Sequence, residues 1–131
     1  MSQENEDDSG PDSEECARDK AQGEDEPKIR VLLSTCPQSV AEDLARFLVE
    51  NRYAACVNIV PQVTSIYRWE GKLCQDAESL LVIKCPKKRA KDAMKALVEK
   101  HPYDVPEVVA LNVKGGHKDY LDWVVSSVQA P

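Results

Sequence analysis

The sequence predicts an α+β fold in one domain, and three observations carry the prediction. Short β-branched runs alternate with stretches of helical period, and their order is strand, helix, strand, strand, helix, strand, helix. The length, 131 residues, suits one hydrophobic core rather than two.

The first stretch stands apart from that core. Within residues 1–26 only Met1, Cys16, Ala17 and Ala21 are of the hydrophobic class, and eleven acidic residues outweigh Arg18 and Lys20 for a net charge of −9. Such a segment buries too little apolar surface to offset its chain entropy, so 1–26 is predicted to be a disordered acidic tail. It reads as solvating, with electrostatic fold-back onto the domain as the alternative. The formal charge of −6 then leaves +3 on the predicted domain, 27–131.

Each element has its own signal. Ile29–Cys36 (IRVLLSTC) is rich in branched apolar residues and is followed at once by Pro37 and Ser39, which reads as a buried strand. Ser39 and Glu42 predict a capping box, and Val40, Leu44, Phe47 and Leu48 recur at helical spacing to about Asn51. Residues 54–60 predict a second strand, after which Pro61, unable to donate to a ladder, marks a corner, bulge or edge. Beyond it Val63, Ser65, Tyr67 and Trp69 share one face, Thr64, Ile66 and Arg68 the other, and Glu70-Gly71 supplies the turn of a long hairpin arm.

The return limb leads into residues 78–85, where 80–83 is apolar on both faces and therefore central, and Pro86 ends the strand. The next helix presents Ala90, Met94, Leu97 and Val98, which places His101 inward at its carboxyl end before Pro102. Residues 108–113 form a fourth strand, Gly115-Gly116 breaks it, and Tyr120, Leu121, Val124, Val125 and Val128 line a last helix with His117 at its start. This order is the split-βαβ, ferredoxin-like sandwich with an extra C-terminal helix.

Several function classes are disfavoured. No apolar run approaches the length of a membrane helix and residues 1–26 lack the character of a secretory signal, so no direct membrane insertion and a cytoplasmic location are expected. Five cysteines without a C-x-x-C pair argue for thiols in a reducing compartment. Nucleic acid is not an expected partner, because the stacking-aromatic signature is absent and the domain carries only +3. The chain is read as no enzyme: it has no H-E-x-x-H, nucleophile elbow or Ser-His-Asp pattern.

The stretch AACVNIVPQVTSIYRWEGKL, then Glu78 with LLVIK, then HPYDVPE and YLDWV, closely resembles the CutA divalent-cation-tolerance family across essentially the whole predicted domain. The resemblance implies a homotrimer whose hairpin arms, here residues 67–80, pair with neighbouring subunits. Tyr67, Trp69 and Trp123 are then interface candidates. A projecting arm bearing Ile66, Tyr67 and Trp69 independently calls for cover by another chain.

The resemblance also implies copper or another divalent cation as the bound cofactor, in a non-catalytic protein contributing to metal tolerance. Its ligands resemble a first-strand cysteine, the HPY histidine and the PE glutamate, of which the last two carry over as His101 and Glu107. Ser34 holds the cysteine's place. Cys36, on the same strand face about 6.6 to 6.8 Å along, is the candidate replacement. Imidazole with thiolate suits copper or zinc, and the competing reading makes His101 a core residue capping its helix and Glu107 a partner of backbone donors.

Two alternatives follow from the same resemblance. One is a PII-like trimer binding a small anionic ligand at Lys84, Lys87, Lys88 and Arg89, although no Gly-rich phosphate loop accompanies them. The other is a trimeric scaffold for a partner protein such as acetylcholinesterase.

Overall fold

The computed structural model describes residues 27–129; the predicted acidic tail lies outside the described residues. In chain order the elements are β1 (Ile29–Cys36), α1 (Gln38–Glu50), β2 (Cys56–Trp69), β3 (Lys72–Pro86), α2 (Lys87–Lys100), β4 (Val109–Asn112) and α3 (Lys118–Ser127). The strands form one sheet in the order β2-β3-β1-β4, with every neighbouring pair antiparallel. The predicted α+β arrangement is therefore the observed one, C-terminal helix included.

Register assigns the two faces. Leu32 lies opposite Ile83, Ser34 opposite Leu81 and Cys36 opposite Ser79, and residues directly opposite share a face. All six are buried, because α1 and α2 lay Leu44, Leu48, Ala93 and Leu97 across them. The alternate residues Val31, Leu33, Leu80 and Val82 look the other way, joined by Val60 of β2 and by Val109 and Leu111 of β4. α3 makes a separate small cluster, packing Leu121 and Val124 against Ile29.

Pro61 does not interrupt β2. The strand absorbs it in a bulge between Val60 and Val63, with Gln62 at φ 61°, and β2 is an edge strand on which a missing N–H donor is tolerated. Glu70 and Gly71, at φ 51° and 79°, make the two-residue turn with both central residues left-handed that matches strand twist. Trp69 thus pairs with Lys72 across the tip.

Three local expectations are corrected. The capping box is absent: Pro37 is the N-cap of α1 and Ser39 lies inside the helix, with no side-chain cap bond. Proline, with its fixed φ, starts the helix two residues earlier than the serine signal does. Val98 is 45% exposed rather than part of the buried stripe of α2, which runs through Ala90, Ala93 and Leu97. The fourth strand is shorter than 108–113, ending at Asn112.

Candidate functional site

The candidate residues gather where β1 ends and the segment after α2 returns to it. His101 caps α2 with its amide donating to the Leu97 carbonyl at 2.9 Å. Pro102 disfavours helical geometry in the residue before it, so His101 turns extended, with ψ 141°, and the chain leaves the helix toward β1. This inward placement, 7% exposed, is the predicted one.

Both imidazole nitrogens are occupied. The Tyr103 backbone N–H donates to Nδ1 at 3.1 Å, and an N–H can only donate, so Nδ1 carries a lone pair there. Nε2, 2.8 Å from the Thr35 carbonyl, therefore bears the hydrogen and donates it. The ring sits in one neutral tautomer, locked between β1 and its own loop.

Thr35 connects the second candidate. Its hydroxyl donates to Glu107 Oε1 at 3.2 Å, so His101 and Glu107 meet the same residue, one through its carbonyl and one through its side chain. The structure brings this pair together and sets Cys36 apart from it. Strand alternation turns Cys36 away from the Thr35 side chain, beneath the helices with Ser34. Burial first, and then the Glu78 carboxylate, raise the Cys36 thiol above its ordinary value, which disfavours the thiolate a metal needs. Among the described residues no group of three or more His, Cys, Asp or Glu side chains is arranged to hold a metal ion. As they stand, the three candidate ligands do not make a closed metal site within one chain.

Ser34 stands where the resemblance expects a cysteine, and its buried hydroxyl has no hydrogen-bond partner among the described residues. Neither Glu78 nor Tyr103 figures among the candidate ligands, yet both belong to this network. Glu78 is only 6% exposed and accepts a 2.6 Å bond from the Tyr103 hydroxyl. Burial, followed by that carboxylate, holds the Tyr103 phenol above its ordinary value. The sequence signal was a charged residue at the head of the apolar run LLVI, which needs a partner once β3 is central. On the exposed arm nearby, the Tyr67 hydroxyl donates to Asp76, and that bond raises the phenol to about 12.

The four candidate anion ligands do not form one cluster. Lys84 lies opposite Val31 on the sheet face away from α1 and α2, where it donates to Asn58 Oδ1. Arg89 sits 4.7 Å over the Tyr53 ring, bonds the Arg52 carbonyl at 3.1 Å and pairs with Asp92 at 3.2 Å. Lys87 and Lys88 are exposed on the first turn of α2. Of the interface candidates, Tyr67, Trp69 and Trp123 are all exposed. His117 is the N-cap of α3, also exposed, as predicted.

Comparison with known proteins gives the same architecture. A divalent-cation tolerance protein CutA of Thermus thermophilus is 48% identical over 97 residues, covering 72% of this chain and 91% of its own. A CutA homolog of Xenopus laevis is 48% identical over 91 residues, covering 69% of this chain; the chain spans 60% of that relative's length. The solved structure described as a PII-like protein CutA from Nostoc, in apo form, superposes with a TM-score of 0.73 at 34% identity, covering 76% of this chain and 97% of the other. Residues 30–127 match the family described as CutA1 divalent ion tolerance protein, and the chain belongs to that family.

Proposed function

We propose that this chain acts as a non-catalytic homotrimer in divalent-cation tolerance, receiving copper or a related divalent cation where Thr35, His101 and Glu107 meet. The observation that carries the trimer is apolar exposure. Leu73 is 74% exposed, Ile66 64% and Trp69 50%, all on the arm, while Val60, Val109 and Leu111 stand open on one sheet face. A lone chain with these surfaces in water offers a long apolar edge for aggregation, and closed symmetric assembly covers it.

For the cation, His101 must release the Tyr103 amide before Nδ1 becomes a ligand, and Glu107 keeps one oxygen beyond its Thr35 bond. Binding through this pair therefore costs an existing hydrogen bond, and a tight site calls for further ligands from a neighbouring subunit. The small-anion reading draws support from the PII-like description of the Nostoc protein. Its four-cation cluster is weakened by the separation of Lys84 and the engagement of Arg89. We place the protein in the cytoplasm on the strength of its free thiols Cys36, Cys56, Cys74 and Cys85. Among the described residues no helix is long and apolar enough to cross a membrane.

The test is sedimentation equilibrium of the full chain, followed by calorimetric titration with Cu(II), and with Cu(I) under reducing conditions. Three chains per particle and about one ion per subunit, lost in a still-trimeric His101→Ala variant, is the expected result. A monomer sinks the assembly reading. Undiminished copper binding by His101→Ala sinks the assigned site.

A further inference from the structure

We propose that the acidic segment 1–26 docks in cis along the lysine face of α2. The helix holds Lys87, Lys88, Arg89, Lys91, Lys95 and Lys100 against Asp92 and Glu99, a net charge of +4 that exceeds the +3 of residues 27–131 together. Lys87, Lys91 and Lys95 recur every four residues, so they line one side of the helix, with Lys88 at their flank. All four are exposed. Among the described residues the one ion pair on α2 is Arg89–Asp92, which leaves these lysines without an acidic partner there. Like charges four residues apart repel, so this face is held against its own electrostatics.

The segment begins beside it. The Lys28 carbonyl accepts a 2.8 Å hydrogen bond from the Lys87 amide, so the described chain starts pinned to the first residue of α2. Glu24, Asp25 and Glu26 come immediately before Pro27, and 1–26 as a whole carries −9. At about 1.5 Å rise per residue the helix is roughly 20 Å long, a span that about seven extended residues cover. The remaining chain is more than sufficient. Attachment at this point gives the segment an effective concentration on the order of millimolar at the lysines, an advantage no separate anion shares. Docked there, it is an internal competitor for any anionic ligand approaching Lys87 and Lys88.

Amide spectra of the ¹⁵N-labelled full chain test this. The wild type is compared with a Glu24→Gln, Asp25→Asn, Glu26→Gln variant at about 0.01 M and about 1 M salt, where the screening length falls from about 30 to about 3 Å. The expected result is a displacement of the amides of residues 87–95 between the two proteins at low salt, vanishing at high salt and unchanged on tenfold dilution. Substitution of Lys87, Lys91 and Lys95 by Gln should reciprocally move the amides of residues 14–26. Amides 87–95 that ignore the tail substitutions at low salt overturn the proposal, and displacements that fade on dilution assign the contact to a separate molecule instead.

Discussion

The two faces of the sheet use the same strands and arrive at opposite conditions. On one, Leu32, Leu81 and Ile83 are wholly buried beneath α1 and α2. On the other, Val60, Val109 and Leu111 remain open, and the hairpin adds exposed Tyr67 and Trp69 on that side and Ile66 and Leu73 on the opposite one. The chain completes its main core on the first face and buries only the small Ile29, Leu121 and Val124 cluster on the second. Burial within the chain is thus concentrated on the first face, and the second is the one the proposed assembly would cover.

Substitutions separate the two. Leu81→Ala removes a side chain with no exposure and should destabilise the fold by about 2–5 kcal/mol, read from chemical denaturation. Leu111→Asp, on the open face, should preserve the far-ultraviolet circular dichroism spectrum and convert the sedimenting species to monomer. Equal loss of helix signal in both variants breaks the distinction between the faces.

At the end of β1 the contrast is finer. Tyr103→Phe deletes the hydroxyl that serves the buried Glu78 carboxylate, and a loss of about 1–3 kcal/mol is expected from the same denaturation experiment. A smaller effect should appear at alkaline pH. Burial lifts Cys85 from its ordinary 9.0 up to about 11, a folded value above the unfolded one. Its contribution is therefore complete below about pH 9 and is lost as pH rises through 11. Denaturation midpoints should fall across that window, and a Cys85→Ala variant should fall less steeply. The smallest effect is Ser34→Ala, which removes a buried hydroxyl that bonds none of the described residues and should leave stability unchanged or raised by up to about 1 kcal/mol. A clear loss there means that the hydroxyl has a partner.

Much of the fold was legible because each strand and helix announces itself locally. β-branched runs, the Glu70-Gly71 turn and the proline after His101 act within a few residues of where they stand. The misread capping box shows the limit: Pro37 and Ser39 are both helix-start signals, and only the folded geometry decides between them. The site was half legible. His101 facing inward followed from helical period, but its fixed tautomer depends on Thr35, sixty-six residues away in sequence, and the Glu78–Tyr103 pair on a register no local pattern reveals. Lys84 joins Lys87, Lys88 and Arg89 in the sequence and parts from them in space, because a strand residue takes one face of the sheet while the next helix packs on the other.

The position of β1 sets a condition on how the chain reaches this state. It is synthesised before the other strands, yet it lies inside the sheet, with β3 on one side and β4 on the other. Arg30 finds its two strand partners at Cys85 and Asn112. During translation, β1 and α1 can emerge and meet, but the strand keeps at least one edge unsatisfied until β4 has left the ribosome. Closing loops of this length is entropically slow. The nascent chain therefore spends its synthesis with its central strand waiting, and it is in that interval, more than in the finished fold, that chaperones have most to protect.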